Sequence, residues 1–468
     1  MSSAPRVADR RADVAVIGGG IAGLSAARAL HERGVTFVLL EAAARWGGVI
    51  RTERAGGFLL EAGPDTMLAA KPDGAQLCRD LGLGDRIVPT DPRRATVFVV
   101  RRGRLHRLPE GMVLGIPTRM GPLLRSGLFS WRGKLRMALE PWLPARRGMD
   151  DESIAAFIAR RLGREAVEVV GEPLLAGIHA GDAARLSLRA TFPRLFEIGS
   201  RPESLVRGMR AAARAQGEAG AAGFVSLAGG LGEMVDALVA GLPASALMTQ
   251  TAARALRRQA DVFVLEAEGG PIAARAVILA LPPPRAAPLV HALSAGAARI
   301  LGAIRFASTA TVLLGYRRED VAHPLDGYGL LVLHGEGLRT TALSFSSTKL
   351  PGRAPEGHVL LRGFVGGVHD PGVVALDDAA LAGTVAREMR PLLGIAGEPV
   401  VSRVYRWPEA TPQMEVGHLG RVAEVDRELA LVPGLFLAGA GLRAIGIPDV
   451  IADATKAAAD AAISLHRS

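Results

Sequence analysis

The first forty residues alternate between short apolar runs and a helical pattern. Asp13 to Ile17 is an apolar run that stops at glycines, and Thr36 to Leu40 is a second run. Between them, apolar residues recur at helical spacing from Ile21 to Arg33, and this pattern ends at Gly34. A strand, a helix and a second strand in this order predict a βαβ unit. The chain is therefore expected to begin with a parallel sheet.

Further strands for this sheet are predicted far along the chain. Runs typical of strands occur at Val262 to Leu265, at Ala276 to Leu281 and at Gly434 to Ala438, the last of them before a helical pattern. Between these pieces lie a helix-rich region at about 110–215 and a region at about 300–405 whose apolar residues alternate. The pattern predicts an α/β protein with a discontinuous first domain, a helical domain and a second, mixed sheet.

Composition narrows the class of protein. The 468 residues, 49% of them apolar and 22% charged, suffice for two or three domains. The single cysteine, Cys78, excludes an intrachain disulfide and thiolate metal clusters, which is typical of a reducing compartment. No apolar leader precedes the first strand, and the run from Leu429 to Leu442 is shorter than the roughly 20 residues of a membrane span. We expect a cytoplasmic protein without a transmembrane helix.

The formal net charge of +10 is concentrated in one segment. Between Arg93 and Arg147, thirteen basic residues stand against Glu110 and Glu140, and from Met120 to Trp142 they alternate with apolar residues. This favours an anionic surface, either an acidic partner protein or the inner face of the membrane, bound peripherally. A solvated, arginine-rich face is the alternative. No nucleic-acid motif accompanies the charge, so nucleic acid is not a predicted partner.

A glycine fingerprint lies between the first strand and the first helix. Gly18, Gly20 and Gly23 form G-x-G-x-x-G, which allows a tight turn, the approach of a pyrophosphate and close helix packing. The N-terminus of the helix adds about half a unit of positive charge. Glu41, at the end of the second strand, would accept hydrogen bonds from ribose hydroxyls. A dinucleotide is predicted, and FAD and NAD both remain open at this point.

The residues after Glu41 distinguish the two cofactors. They form the string E-x3-R-x-G-G-x-x-R-T, in which paired glycines admit a cofactor chain and arginine can neutralise phosphate. The string consists of Glu41, Arg45, Gly47, Gly48, Arg51 and Thr52. It resembles the extended FAD fingerprint of the superfamily that contains the amine oxidases, phytoene desaturases and porphyrinogen oxidases. FAD is therefore the predicted cofactor.

Within this superfamily, strings along nearly the whole chain are similar to those of the protoporphyrinogen and coproporphyrinogen oxidases. Among them are Glu61-Ala-Gly-Pro-Asp65, Glu172-Pro-Leu-Leu-Ala-Gly-Ile-His-Ala-Gly-Asp182 and Pro412-Gln-Met-Glu-Val-Gly-His418. The resemblance implies a Rossmann-like FAD-binding domain assembled from discontinuous segments, a mixed-sheet substrate domain and a helical domain. It also implies six-electron oxidation of a porphyrinogen by molecular oxygen in haem biosynthesis. Flavin N5 would accept the hydride, so no catalytic acid, base or metal is predicted.

The resemblance also gives domain limits and cofactor contacts. The FAD-binding domain is expected at 1–90, 220–285 and 415–468, a helical, basic, membrane-associating domain with part of the substrate site at 91–215, and the substrate-binding domain at 286–414. Carried over residue by residue, the FAD contacts fall on Gly18, Gly19, Gly20, Ile21, Ala22, Gly23, Glu41, Ala42, Arg45, Gly47, Gly48, Val49, Gly63, Pro64, Asp65, Thr66, Ala253, Trp407, Gly439, Ile445, Gly446 and Ile447.

Two departures from the family pattern bear on the substrate. Val97 stands where animal and plant enzymes place an arginine that holds a propionate, and Gly115-Ile-Pro-Thr118 resembles the bacterial branch that oxidises coproporphyrinogen III, a tetracarboxylate. Met414 replaces a tyrosine and donates no hydrogen bond. Coproporphyrinogen III is therefore favoured, with protoporphyrinogen IX kept open. The candidate substrate residues are Lys71, Arg93, Arg94, Val97, Gly177 and Arg305.

Two other functions are kept as alternatives. A flavin amine oxidase shares the N-terminal fingerprints, but the aromatic cage of such enzymes is hard to build with three tyrosines and Met414. A flavin-carrying protein that only docks on membranes is the non-enzymatic alternative, and turnover with oxygen would exclude it. His179 and His418 are interpreted as hydrogen-bonded structural residues. The sequence leaves the oligomeric state open.

Overall fold

The computed structural model describes residues 10–113, 115–143, 150–201, 203–215 and 223–466. The strands are β1 Arg10–Ile17, β2 Phe37–Leu40, β3 Thr52–Ala55, β4 Phe58–Glu61, β5 Met67–Leu68, β6 Ile87–Pro89, β7 Val97–Arg101, β8 Arg104–Arg107, β9 Met112–Val113, β10 Ile116–Pro117, β11 Phe224–Leu227, β12 Leu247–Met248, β13 Ala253–Gln259, β14 Val262–Ala267, β15 Gly270–Leu279, β16 Phe306–Arg317, β17 Gly329–Val332, β18 Thr340–Phe345, β19 His358–Gly366, β20 Val401–Pro412 and β21 Leu435–Leu437.

The α-helices are numbered in the same way. They are α1 Ile21–His31, α2 Pro72–Asp80, α3 Met120–Arg125, α4 Trp131–Ala138, α5 Ile154–Leu162, α6 Arg164–Ala166, α7 Glu172–His179, α8 Leu188–Thr191, α9 Pro193–Gly199, α10 Leu205–Ala215, α11 Gly232–Ala240, α12 Pro283–Val290, α13 Ala295–Ala303, α14 Ser346–Lys349, α15 Asp378–Leu393, α16 His418–Leu429 and α17 Ile447–Ser464. None of the helices in the described ranges is long and apolar enough to cross a bilayer.

The first sheet has the order β12-β2-β1-β15, and β21 pairs with the end of β15. These pairings are parallel, whereas β13 and β14 extend the sheet in antiparallel fashion. The strands are apolar because helices cover both faces: α1, α11 and α17 lie on one face, and α12, α13 and α16 lie on the other. The predicted βαβ unit and the α/β class are confirmed.

Small residues let α1 and α17 pack side by side on this sheet. Ala26 and Ala29 of α1 share a buried core with Ala454 and Ala458 of α17. The two helices follow the parallel strands β1 and β21, so both helix N-termini lie at the carboxyl edge of the sheet. In open α/β sheets this edge is where ligands bind.

The second sheet has the order β20-β16-β19-β18-β17-β7-β8 and is antiparallel apart from the β17–β7 pair. Along β16 the side chains alternate: Val312 and Leu314 pack toward helix α15, whereas Leu313 packs toward Phe58 of β4. The sheet is therefore held between a helix and the hairpin that follows the nucleotide fingerprint.

The elements cross the predicted domain limits at two places. Strands β7 and β8, within the segment 91–215 expected to be helical, complete the second sheet. Helices α12 and α13, most of whose residues lie in the segment 286–414, pack beneath the first sheet. The limits themselves stay a prediction. The remaining helices from α3 to α10 surround a third core that includes Phe157 and Leu205.

Candidate functional site

The three fingerprint glycines occupy different environments in the β1–α1 turn. Gly18 has φ +109°, and a Cβ on Gly23 would lie 1.8 Å from the carbonyl oxygen of Gly18. A Cβ on Gly20 would meet no described atom nearer than the Cα of Gly48 at 3.9 Å. Gly18 and Gly23 thus serve the fold, whereas Gly20 leaves a cradle that a side chain would fill. This cradle fits a pyrophosphate.

Charge and hydrogen bonding at the turn suit the same ligand. Helix α1 begins after Gly20, and no side chain caps its N-terminus, so the helix presents free N–H groups and positive charge. The carboxylate of Glu41 accepts hydrogen bonds from the N–H of Gly19 at 2.7 Å and of Ala43 at 2.8 Å. The carboxylate has further lone pairs that can accept hydrogen bonds from ribose hydroxyls.

The second fingerprint loop lies directly on the first. The N–H of Gly47 donates to the carbonyl of Gly19 at 2.8 Å. The guanidinium of Arg45 folds back onto this loop and donates to the carbonyls of Trp46 and Ile50 at 3.2 and 3.3 Å. Burial, and then repulsion from Arg51, lower the pKa of Arg45. A phosphate beside these cations would relieve both costs.

The segment Gly63–Thr66 joins the fingerprint to the second sheet. A Cβ on Gly63 would lie 1.8 Å from the carbonyl oxygen of Val49, so only glycine fits there. The indole Nε1 of Trp407, on β20, donates to the carbonyl of Ala62 at 3.0 Å. Pro64, Asp65 and Thr66 follow at the junction of the two sheets.

Two cations that the sequence alone did not reveal converge on Asp65. Lys349, at the end of α14, lies 3.0 Å from one carboxylate oxygen, and Arg362, in β19, lies 3.4 Å from the other. Although burial alone would raise the pKa of Asp65, these two cations hold it well below its usual range. Arg362 is a charged residue within the apolar run of β19, and a charge at such a position indicates a buried partner.

The C-terminal candidates lie beside α1. Gly439, with φ +116°, would place a Cβ 3.5 Å from that of Ala22. Ile445 and Gly446 lead into α17, whose N-terminus no side chain caps. Ala253 begins β13, two residues after Thr251, whose N–H donates to the carbonyl of Glu41 at 2.9 Å. Contacts thus connect the expected cofactor segments at one edge of the first sheet, and Ala42 lies exposed beside Glu41.

The candidate substrate cations do not form one cluster. Lys71 pairs with Asp449 at the start of α17, and Arg305 pairs with Glu415 at 3.2 Å. Arg93, 89% exposed, donates to Asp91 at 3.1 Å, whereas Arg94 lies 3.8 Å from the same carboxylate. These four residues have carboxylate partners on three different segments.

The two uncharged substrate candidates belong to the second sheet and its cover. Val97 begins β7 and pairs in register with Gly329. Gly177 lies on α7, where a Cβ would come within 2.9 Å of Leu331 and 3.2 Å of Ala342. Gly177 therefore lets α7 approach strands β17 and β18 closely.

A sheet covered by helices on both faces, with two uncapped helix N-termini and a glycine cradle at its carboxyl edge, defines a dinucleotide-binding protein. The family model described as flavin containing amine oxidoreductase matches residues 21–462. The chain belongs to this family of oxidoreductases, and its cofactor is FAD. The predicted resemblance and cofactor are confirmed.

Similar proteins narrow the comparison. The chain is 35% identical to the coproporphyrinogen III oxidase of Bacillus subtilis (strain 168), over 97% of this chain and 99% of that protein. It is 31% identical to the chloroplastic protoporphyrinogen oxidase of Oryza sativa, over 92% and 84% of the two chains. The crystal structure of a candidate protoporphyrinogen oxidase from Exiguobacterium sp. 255-15 superposes with a TM-score of 0.87 at 30% identity, covering 98% of this chain and 100% of that one.

Proposed function

We propose that this protein is an FAD-dependent, oxygen-using porphyrinogen oxidase of haem biosynthesis, with coproporphyrinogen III as the favoured substrate and protoporphyrinogen IX close behind. The observation that carries the proposal is full-length similarity to the coproporphyrinogen III oxidase of B. subtilis, covering 99% of that protein. The FAD contacts proposed are those of the two fingerprint loops, Gly63–Thr66, Ala253, Trp407 and the start of α17.

The proposed reaction requires no catalytic side chain, because the cofactor carries out the redox chemistry. A porphyrinogen loses six electrons and six protons to become a porphyrin, so three two-electron cycles consume three molecules of O2 and release three of H2O2. When bound, FAD supplies the hydride acceptor and the reaction with oxygen. The chain then has to bind and orient a macrocycle and exclude water, and we place this task beside Gly63–Thr66, where contacts join the two sheets.

Steady-state turnover tests the proposal. FAD-loaded protein should convert coproporphyrinogen III to a fluorescent porphyrin with three O2 consumed per porphyrin, and kcat/KM should exceed that for protoporphyrinogen IX about tenfold if one more charge-assisted contact forms. Equal or inverted kcat/KM values would reverse the substrate preference. Absence of porphyrin formation from both substrates would contradict the oxidase itself.

Adjacent arginines offer a matched test of the carboxylate contacts. Arg94 is the better candidate, because it lies farther from Asp91 than Arg93 does, at 3.8 against 3.1 Å, and lines a polar cavity of about 250 Å3 with Ser347 and His358. Arg94→Ala should therefore reduce the preference for coproporphyrinogen III, and Arg93→Ala should leave it near the wild-type value. Equal effects of the two substitutions would remove Arg94 as an anchor.

The tyrosines argue against an amine oxidase. Tyr316 is buried in the core of the second sheet, at 1% exposure. The hydroxyl of Tyr328 donates to the carbonyl of Asp91 at 3.0 Å, and that of Tyr405 donates to Glu53 at 2.6 Å. With the tyrosines of the chain engaged in this way, an aromatic cage would need other rings. Turnover of primary amines would favour this second activity.

We also propose that the protein docks peripherally on anionic membranes. Its support is a stripe of exposed apolar side chains on and after α4, made of Trp131, Leu135, Leu139 and Trp142, which are 74%, 63%, 45% and 77% exposed. Positions four apart lie on one helix face. Arg132, which follows Trp131 in α4, and Arg125, at the end of α3, are exposed. Arg146 and Arg147, counted in the same basic segment, lie outside the described residues.

Vesicle binding distinguishes this proposal from a solvated surface. The protein should sediment with anionic vesicles at low salt and detach as ionic strength rises, because surface attraction is screened over about 10 Å at 0.1 M. Equal partitioning onto neutral and anionic vesicles would contradict an anionic membrane partner.

A further inference from the structure

The charges around Asp65 do not balance. The ammonium of Lys349 donates to both carboxylate oxygens of Asp65, at 3.0 and 3.1 Å, and to the hydroxyl of Thr66 at 3.3 Å. Arg362 lies 3.4 Å from the same carboxylate and donates to the carbonyl of Gly63. One carboxylate thus faces two cations, and the cluster carries one surplus positive charge.

The surplus charge is held away from solvent. The side chains of Lys349, Asp65 and Arg362 are 14%, 12% and 6% exposed. The buried Nε of Arg362 has no hydrogen-bond partner among the described residues. The neighbouring buried pair, Glu61 and Arg353 at 3.9 Å, has no net charge and therefore does not neutralise the surplus positive charge of the cluster. A buried charge without a counter-charge is costly unless a ligand supplies one.

Lys349 and Arg362 reach the expected cofactor segment Gly63–Thr66 from the second sheet and its helix α14. Arg362 comes from the middle of β19, Lys349 ends α14, and both contact Gly63–Thr66. On its other side, Gly63 packs against the carbonyl of Val49 in the second fingerprint loop. The missing counter-charge is therefore expected from a group bound at this junction.

We propose that the Lys349–Asp65–Arg362 cluster sets the reduction potential of the bound flavin, with its surplus positive charge stabilising the anionic reduced ring. The inference rests on the proposed function through the placement of FAD against Gly63–Thr66. Reduction by two electrons with uptake of one proton leaves one negative charge on the ring. A desolvated cation nearby favours that product far more than an exposed one would.

Two substitutions of opposite electrostatic sign test this role. Lys349→Met removes a positive charge and should make the midpoint potential more negative, whereas Asp65→Asn removes a negative charge and should make it more positive. A tenfold change in the reduction equilibrium corresponds to about 30 mV for a two-electron couple, and at least this shift is expected in each direction. Potentials are measured on FAD-loaded protein without substrate, against reference dyes.

Three controls separate electrostatics from structure. Lys349→Arg keeps the charge and should restore the wild-type potential. Lys456→Met removes the same charge from an exposed pair with Asp460, 75% exposed on the lysine side, and should leave the potential unchanged. FAD affinity of each variant, measured by fluorescence titration, reports damage to the binding segment, which would weaken both variants alike.

The outcomes are distinct. Opposite shifts in Lys349→Met and Asp65→Asn support the proposal. Unchanged potentials, or shifts of the same sign, in variants that retain FAD overturn it, and so does a shift in Lys349→Arg as large as that in Lys349→Met. If Lys349→Met does not retain FAD, the direction of the Asp65→Asn shift decides. Failure of porphyrinogen turnover with these potentials intact would overturn the proposed function alone.

Discussion

At the residue scale, Gly20 separates cofactor binding from folding. Its backbone is extended, at φ −73° and ψ −177°, so any residue can adopt it. A side chain at this position would occupy the space proposed for the pyrophosphate, and its Cβ would not collide with described atoms. Gly20→Val is therefore expected to leave the thermal stability of the cofactor-free protein near the wild-type value and to weaken FAD binding by roughly 100-fold or more. Differential scanning fluorimetry and flavin titration measure the two quantities.

Gly23→Val is the matched control for this prediction. Its Cβ would fall 1.8 Å from the carbonyl oxygen of Gly18, so this variant should lose about 1–3 kcal/mol of folding stability before any cofactor is added. A Gly20→Val protein that holds stoichiometric flavin would contradict the placement of the pyrophosphate.

The buried ring of His179 links stability to pH. It packs edge-on against Phe192, and burial lowers the pKa of His179 to about 4. The unfolded chain binds this proton more readily, so the stabilisation is complete above about pH 6.5 and is lost as the pH falls toward 4. Between these limits the loss amounts to up to about 3 kcal/mol.

His179→Phe should remove this part of the pH dependence. We expect the difference between the melting temperatures at pH 7.5 and pH 5 to be smaller in His179→Phe than in the wild type. His31→Phe, at an exposed position on α1, should keep the wild-type difference. An unchanged pH dependence in His179→Phe would show that the ring is not buried in the neutral form.

The ring of His418 hydrogen-bonds the carbonyl of Leu442 at 2.8 Å, which is the hydrogen-bonded structural role predicted for this residue.

The role of a single residue could be predicted from the sequence where a local motif with fixed spacing defines that role. The role of Glu41 follows from its place after a strand and a glycine turn. Lys349 and Arg362 are separated from Asp65 by more than 280 residues, so only the folded chain shows that they meet. The buried pair of Glu140 and Arg161 could not be predicted for a different reason: in the sequence, Glu140 is only one of two acids within the basic segment.

At the element scale, the stripe on α4 can be tested with matched leucines. Leu135, 63% exposed, belongs to the stripe, whereas Leu431, 82% exposed, lies elsewhere on the surface. Leu135→Ser should reduce binding to anionic vesicles severalfold, because burying a leucine side chain in the interface contributes about 1.5–3 kcal/mol when complete. Leu431→Ser should bind as the wild type does. Equal effects in a cosedimentation assay would contradict docking through α4.

Element boundaries were predicted well where hydrophobic periodicity is strong. The predicted helix at Ile21 to Arg33 is α1, Ile21–His31, and the strand predicted at Val262 to Leu265 lies within β14, Val262–Ala267. The assignment of elements to sheets was less accessible. Strands β7 and β8 join the second sheet through a parallel pairing with β17, and no local pattern records a partner more than two hundred residues away.

At the scale of the whole molecule, the two sheets divide the work. The first supplies the cradle, the helix N-termini and Glu41. The second brings Trp407 against Ala62 and, together with α14, Arg362 and Lys349 against Gly63–Thr66. The discontinuous assembly of the first sheet allows long insertions between its strands to build the second. The proposed site lies where the segments meet, so each domain alone would hold an incomplete site.

The most direct test of the proposed function is anaerobic mixing of FAD-loaded protein with coproporphyrinogen III in a stopped-flow spectrometer. The flavin absorbance should bleach at a rate that rises with porphyrinogen concentration and saturates, and it should return when oxygen is admitted, with porphyrin fluorescence appearing. Bound flavin that stays oxidised with coproporphyrinogen III and with protoporphyrinogen IX, yet bleaches with a primary amine, would contradict the assignment.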